Sequence, residues 1–440
     1  MTQARKQGIS ADAIKLGEFS RGLNPRIGNA RYDACFLYAS LEKAQNPEIF
    51  LERVRHVLKP EGTVMILCPS LDSRAARFFR GRWWEFRKEN LFYFDVNTVQ
   101  NLLVKAGFCD SVVIRDYQNA SSVYDRGKVK GLHRNLFGKL LSGIIRVTPS
   151  RFRYLPGCLF DSRMIIMSRP AGAGKKTTLS VIVPVYNERA TFSEMIEVLL
   201  VKEIPGVNIE IVIVESNSAD GTREEVLKHK DNPKIKIVLE DKPRGKGFAV
   251  RNGLANITGD IVLIQDADLE YDINDYDALV DPILRYQQSF VIGSRHIRDK
   301  RAWKIREFND APVLSSLFNL GHLFFLTLFN IIYRQSLADP FSMFKVFRRD
   351  CLYGLSFECS RFDFDFEVVI KLLRKGYKPV EIPVNYRARS VREGKKVSML
   401  RDPITWLRAL IKYRFSPLYE NMGKSQVYST TATTYKSEGM

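Results

Sequence analysis

Apolar and polar positions are weakly patterned over residues 1–31 and then settle into an α/β rhythm. YDACFLY from Tyr32 reads as a strand, NPEIFLERVRHVL as a helix, and TVMILCP, after the turn KPEG, as a second strand. A helix at NTVQNLLVKAG and a strand at SVVIRDY follow, and residues 119–160 are basic and loosely patterned. The short apolar run RMIIMS leads into RPAGAGKK, whose Pro, Gly and Lys content marks a domain boundary. From Thr178 the rhythm resumes with LSVIVPVY, IEIVIVE, IKIVLE and DIVLIQD, continuous β-branched runs typical of buried parallel strands. Helical stretches between them predict a doubly wound sheet. The expected organisation is a weakly patterned segment 1–31, a partial α/β domain 32–170, a linker 171–177, a second α/β domain 178–415, and a disordered Ser/Thr/Tyr/Lys-rich tail 416–440.

Composition adds little to this: 440 residues, 45% hydrophobic and 27% charged, are enough for two globular domains. Charge adds more. A formal net charge of +19 implies an anionic partner, and with no nucleic-acid-binding signature that partner is expected to be a phosphorylated substrate or an anionic membrane surface. Six cysteines (35, 68, 109, 158, 351 and 359) lack metal-ligand spacing and read as buried thiols of a reducing, cytoplasmic compartment. No segment is expected to span a membrane, because Asn319, His322 and Asn330 interrupt the apolar run from Ser315 to Tyr333. Two readings of that run stand: an interfacial helix or a core helix.

The strongest chemical signal is Asp266-Ala267-Asp268, directly after the apolar run IVLIQ. Alternation along an extended chain sends both carboxylates to one side at the carboxyl end of a buried strand, where open α/β sheets bind ligands. Adjacent carboxylates with hard oxygen atoms suit Mg²⁺ or Mn²⁺ bridging to a diphosphate. Three other strand ends are polar too: Pro184-Val185-Tyr186-Asn187-Glu188, Glu215-Ser216-Asn217-Ser218, and the basic glycine turn Lys242-Pro243-Arg244-Gly245-Lys246-Gly247. That turn is expected to approach phosphate.

VIVPVYNE, VESNSADGT, RGKGFAVRNG, GDIVLIQDADLEY and VIGSR, in this order, resemble glycosyltransferase family two with the GT-A fold. LADPFSMFKVFRRD, RFDFDFEVVIKLLRKGYKPVEIPVNYRARSVREGKK and LIKYRF narrow the resemblance to dolichyl- and polyprenyl-phosphate sugar synthases. It implies a nucleotide-sugar site at Pro184, Tyr186, Glu188, Glu215, Ser216, Lys246, Asp266, Ala267 and Asp268. It also implies metal ligation by Asp266, Asp268 and Glu270, phosphate or acceptor contacts by Arg295, Lys345, Arg389, Lys395 and Lys396, and catalytic roles for Asp268, Arg295 and Asp339. Glu215-Ser216 departs from the paired Asp that relatives usually carry there, which leaves the choice of base, uridine or guanosine, open. The implied reaction is metal-dependent transfer of a hexose from a nucleotide sugar to a polyprenyl phosphate by a protein on the inner face of the membrane, with no nucleic-acid partner. An ionised phosphate acceptor needs cations but no base. A saccharide hydroxyl acceptor is the alternative, with Asp365 or Asp339 as base, and a non-catalytic nucleotide-sugar-binding protein is a third reading.

Residues 32–117 resemble the latter half of a class I S-adenosylmethionine-dependent methyltransferase, through YDACFLYASLEKAQNPEIFLERVRHVLKPEGTVMILCPS and NTVQNLLVKAGF. The family's cofactor pocket belongs to its first half, for which about 30 residues before Tyr32 are too few. Lys43 and Asn90 also stand where relatives often have His. No functional S-adenosylmethionine site is expected. The half-domain reads as a structural appendage, or the chain lacks the start of that domain. It should bury an open sheet edge and an apolar face by docking on the second domain or on a partner.

Overall fold

In the computed structural model, the described residues are 32–115, 162–172, 176–295, 312–387, 401–416 and 418. The expectations for 1–31, 119–160 and most of the tail therefore lie outside the described residues, as do Arg389, Lys395 and Lys396.

The front domain contains β1 (Tyr32–Tyr38), α1 (Pro47–Val57), β2 (Leu58–Pro69), α2 (Arg74–Phe79), α3 (Val96–Lys105), β3 (Phe108–Arg115) and β4 (Arg163–Pro170). The strands form one sheet in the order β1-β2-β4-β3. β1 and β2 run parallel, and β4 lies antiparallel between β2 and β3. Alternation sets the buried face: Val64, Ile66 and Cys68 of β2 and Met164 and Ile166 of β4 point into the core. On the edge strand β1 the opposite face leaves Phe36 and Tyr38 exposed. Asn46 and Asp95 start α1 and α3 by accepting the backbone N–H of Ile49 and Thr98.

The second domain contains β5 (Thr177–Val185), α4 (Arg189–Val201), β6 (Val207–Glu215), α5 (Thr222–Leu227), β7 (Ile235–Leu239), α6 (Lys246–Asn256), β8 (Ile261–Ile264), α7 (Tyr276–Leu284) and β9 (Phe290–Ser294). After these come α8 (Pro312–Tyr333), β10 (Lys345–Arg348), α9 (Phe364–Lys375), β11 (Val380–Pro383) and α10 (Arg401–Phe415). The sheet order is β11-β9-β10-β8-β5-β6-β7, parallel except for β10, which lies antiparallel to both neighbours. All four expected strands are present, and the α/β expectation holds. The chain starts at β5, winds out to β7, then crosses to β8 on the other side, so the crevice between the carboxyl ends of β5 and β8 is a topological switch point.

The front domain docks on the opposite, amino-terminal edge of this sheet. Ser289, just before β9, donates its backbone N–H to Asn97 Oδ1 (2.8 Å) and its hydroxyl to Asn101 Oδ1 (3.2 Å). Asp110 accepts from Tyr353 Oη at 2.7 Å and Arg349 Nη2 at 3.2 Å, and Ser111 N–H donates to Asp350 at 3.2 Å.

The helix α8 departs from expectation. By length and apolar composition it is sufficient to cross a membrane. The three polar residues that interrupt its sequence point inward or are half-buried, with Asn319 and His322 in the protein interior. Leu320, Leu323 and Ile331 are exposed on its outward side. Apolar residues on both faces mark a helix that meets something apolar on each side. α10 repeats the pattern: Ala409, Leu410 and Tyr413 are buried, while Ile404, Leu407, Ile411 and Phe415 are exposed. The two helices meet where Trp406 packs edge-on against Phe325 and Tyr333 Oη donates to Leu410 O at 2.7 Å.

Candidate active site

A cavity of about 1170 Å³ opens at the carboxyl edge of the second sheet. Its floor is Pro184, Tyr186 and Glu188 after β5, Ser216 after β6, and Asp266, Ala267, Asp268 and Glu270 after β8. Its far wall is made by α8 and α10, through Leu317, His322, Phe325, Ile404, Trp406 and Leu407. One continuous space therefore runs from paired carboxylates to the helices whose outer faces are apolar.

Asp266 and Asp268 sit in the first turn after a strand whose four residues are all buried, so a rigid element positions both. Lys246, at the start of α6, makes a short ion pair with Asp266. Burial pulls the Lys246 pKa down, but the Asp266, Asp365 and Asp268 carboxylates outweigh it and the net shift is upward, so the ammonium keeps its proton. Lys246 thus supplies positive charge where the strand-end carboxylates are most crowded. Two carboxylates facing a large cavity fit a hard divalent cation of the kind that takes one or two carboxylates and completes its shell with water and substrate phosphate. A cluster of three metal-capable side chains is not found among the described residues.

Arg295, after β9, lines the same cavity and is almost wholly buried. Its guanidinium is held in a two-pronged grip by Asp339, with Nε to Oδ2 at 2.7 Å and Nη2 to Oδ1 at 2.8 Å. Burial alone would raise the Asp339 pKa and lower that of Arg295, but each charge holds the other, and the net shifts run the opposite way. Glu381 accepts the backbone N–H groups of Ala338 (2.7 Å) and Asp339 (2.6 Å), which fixes the carboxylate that fixes the arginine. Tyr386 covers the guanidinium with its ring at 5.1 Å and donates its hydroxyl to Glu270 at 2.9 Å.

Comparison with known proteins names this architecture. The sequence profile of Glycosyl transferase family 2 matches residues 180–354. A dolichyl-phosphate beta-glucosyltransferase of Saccharomyces cerevisiae is 30% identical over 261 residues, covering 54% of this chain and 75% of the yeast protein. The chain belongs to glycosyltransferase family 2. A dolichol-phosphate mannosyltransferase of Pyrococcus furiosus is 27% identical over 219 residues, covering 49% of this chain and 58% of the relative's own length. A solved mannosyl-3-phosphoglycerate synthase from Rubrobacter xylanophilus is more distant, at 19% identity and a TM-score of 0.41 over 54% of this chain and 73% of that one.

Within this family-2 domain the structure brings Pro184, Tyr186, Glu188, Ser216, Lys246, Asp266, Ala267, Asp268, Glu270 and Arg295 to one cavity. Three sequence expectations, for Glu215, Lys345 and Asp339, need correction. Glu215 is fully buried, and its carboxylate accepts from Arg223 Nε (2.8 Å) and the N–H groups of Asn217 and Ser218, so it turns away from the cavity. Lys345 is buried below the cavity and gives its ammonium to Asp365 at 2.8 Å and to Ser342 O, which leaves it unsuited to hold an incoming phosphate. Asp339 stands behind Arg295 as its support and lines no part of the cavity, so it positions Arg295 instead of touching a reacting atom. Glu270 lines the cavity with Asp266 and Asp268 and accepts the Tyr386 hydroxyl on one of its two oxygens. The glycine turn also has another reason than phosphate approach. A Cβ at Gly247 would stand 2.7 Å from Arg361 O, and one at Gly245 (φ +102°) would collide with Ser360 O, so both glycines admit the 359–364 segment. His322, Tyr386, Arg361 and Trp406 line the cavity without having been singled out in the sequence. Arg361 and Tyr386 both lie inside RFDFDFEVVIKLLRKGYKPVEIPVNYRARSVREGKK, whereas His322 and Trp406 carried no such signal.

Proposed function

We propose that this chain transfers a hexose from a nucleotide sugar to a polyprenyl phosphate of dolichyl type at the inner face of a membrane. The observation that carries the reading is the continuity of the cavity from Asp266 and Asp268 to the apolar helices α8 and α10. A phosphate head enters beside Lys246 and Arg295, while its isoprenoid chain leaves between helices whose outer faces suit acyl chains. Exposed Arg408, Lys412 and Arg414 on α10 complement an anionic headgroup layer. Two of the relatives are themselves named for transfer to dolichyl or dolichol phosphate.

The chemistry agrees. A phosphate oxygen of the acceptor bonds to the anomeric carbon as the bond from that carbon to the donor diphosphate breaks, and the electron pair leaves with the nucleoside diphosphate. The acceptor is already ionised, so no base is required, and the carboxylates nearest to such a role are occupied: Asp339 by Arg295 and Asp365 by Lys345. Asp266 and Asp268 would hold Mg²⁺ or Mn²⁺, which when bound neutralises charge on the leaving diphosphate. Lys246 and Arg295 hold positive charge against both phosphate groups. For the front domain we propose a structural role. Its contacts to the second sheet fall on the edge opposite the site, and the five residues of β9 alone separate the edges by about 17 Å at about 3.3 Å per residue.

The test is incubation of the protein and Mn²⁺ with nucleotide sugars and a short polyprenyl phosphate, followed by mass spectrometry of extracted lipid. A metal-dependent glycolipid that disappears in Asp268→Ala is expected. A product found only with saccharide acceptors would replace the lipid phosphate with a hydroxyl acceptor.

A further inference from the structure

The front domain carries a second cluster of rings apart from the main core, and its outer side is both aromatic and basic. Ala75, Ala76 and Trp83 are its buried centre, with Phe79, Trp84 and Tyr93 packed around them. The rings continue outward. Phe78 meets Phe79 edge-on at 5.0 Å, and Phe86 meets Trp83 at 5.2 Å and Tyr93 at 5.0 Å. Long-range hydrogen bonds anchor this segment to the front sheet. Trp83 Nε1 donates to Ser162 Oγ at 3.1 Å, Glu85 accepts from Arg163 at 2.9 and 3.1 Å, and Leu91 and Phe92 both give their backbone N–H to Glu42 O. A built scaffold therefore holds its outward side chains in place, yet Phe78 is 59% and Leu91 58% exposed, with Phe86 and Phe92 exposed as well.

Charge decides what this face meets. Between Leu71 and Phe94 the chain has six cations and three acids. Asp72 and Glu85 are buried, so Glu89 alone among those acids faces solvent. Arg77, Arg80, Arg82 and Lys88 are exposed and have no ion pair among the described residues. Grouped apolar side chains rimmed by charge of one sign mark an interaction surface. We infer that this face of the front domain binds an anionic lipid bilayer. Phe78 and Leu91 enter the boundary between headgroups and acyl chains, and Arg77, Arg80, Arg82 and Lys88 lie against lipid phosphates. A headgroup layer offers both partners together, negative phosphate and, within about 5–10 Å, hydrocarbon. A polyanion in solution would satisfy the cations and leave Phe78 and Leu91 in water. The face lies outside residues 180–354, the part matched by the family-2 profile, so it goes beyond the proposed transfer reaction. It gives the front domain a membrane contact of its own, separate from that of α8 and α10.

The test is co-sedimentation of the full chain with phosphatidylcholine vesicles, with and without phosphatidylglycerol. A Leu320→Glu, Ile331→Glu, Ile411→Glu background removes the contact through α8 and α10, so that the front domain is read alone. This background is expected to keep binding to the anionic vesicles and to show none to the neutral ones. Phe78→Ser with Leu91→Ser should weaken that binding about tenfold, the effect of returning two inserted side chains to water. Arg77→Gln, Arg80→Gln, Arg82→Gln and Lys88→Gln together should weaken it about tenfold or more, since each cation near an anionic surface counts for about fivefold. All six sites are exposed, so melting temperatures should match that of the background. No binding of the background to anionic vesicles, equal binding to neutral ones, or binding unmoved by either set would overturn the inference. Binding that needs the four cations but not Phe78 and Leu91, and that inorganic polyphosphate matches in solution, would overturn it in favour of a soluble polyanion. Glycolipid formation from a detergent-dispersed short polyprenyl phosphate should be equal in the background and both variants. Its absence throughout, with vesicle binding kept, would overturn the transfer reaction and leave this membrane contact standing.

Discussion

Arg295 is a cavity cation only because Asp339 and Glu381 stand behind it in series, and this arrangement sets what single substitutions should do. Asp339→Asn removes the charge that holds a buried guanidinium, a loss of about 3–5 kcal/mol for a broken buried pair. Chemical denaturation measures it, and glycolipid formation should fall in parallel because Arg295 loses its fixed position. The pH dependence has a definite sign. Asp339 titrates below the usual carboxylate range when folded, so its contribution is complete above its unfolded pKa of about 3.9 and is lost as pH falls through the folded value. Lys375 has the same sign at alkaline pH, because its folded pKa is also lowered. Burial lowers its pKa to about 8, against weaker upward effects of Cys351 and Asp350, while its ammonium donates to Cys351 O and Tyr353 O at 2.9 and 2.6 Å. Between about pH 8 and 10.4 the unfolded chain holds a proton on this lysine that the folded chain has released, so the Lys375 contribution to stability rises with pH there, by up to about 3 kcal/mol. Denaturation of the native chain and of Lys375→Met across this window should show a difference in stability that shifts in favour of the native chain as pH rises.

At the scale of elements, α8 and α10 decide where the molecule sits. Their outward stripes place Leu320, Ile331 and Ile411 in solvent, away from the cavity lining. Leu320→Glu, Ile331→Glu and Ile411→Glu together should leave the melting temperature nearly unchanged, since exposed substitutions cost within about 0.5 kcal/mol each. Co-sedimentation with vesicles containing anionic lipid should fall severalfold, and undiminished binding would move the membrane contact elsewhere. These helices also show how far the sequence could be read. The strands β5, β6, β7 and β8 were legible because a buried parallel strand is apolar on both faces and needs no partner to be recognised. Asp266 and Asp268 were legible for the same reason, as polar residues abruptly ending such a run. α8 was not, because Asn319, His322 and Asn330 interrupt the linear pattern while its inward face takes them up. Lys345, Glu215 and Asp339 carry charges typical of a site, and only long-range partners (Asp365, Arg223 and Arg295) show that these charges serve the interior. His322 and Trp406 reach the cavity by tertiary packing of helices far from the strand ends, and no local spacing announces that.

For the whole molecule, one hydrophobic core runs from Leu37 and Val64 of the front sheet to Val181 and Phe347 of the second, so the two domains share buried surface and not merely a linker. Asp110 fastens the seam. It accepts from Arg169 Nε at 2.6 Å within the front sheet and from Arg349 and Tyr353 across the interface, and these partners together hold its pKa low despite burial. A shared core and a charged fastening predict a single cooperative thermal transition for the full chain, whereas a domain tethered only by its linker would melt separately. Asp110→Asn is the informative change, because Asn accepts the left-handed backbone found there (φ +52°) and removes only the charge. Differential scanning calorimetry should show a loss of roughly 2–4 kcal/mol, as expected when a part-buried charge loses two guanidinium partners. UDP affinity should be unchanged in the same variant, because the fastening lies on the amino-terminal edge of the sheet and the proposed nucleotide site on the carboxyl edge. A change in UDP affinity would mean that the front domain acts on the site through the intervening strands, and two transitions in the unaltered chain would mean that the shared core does not couple the domains.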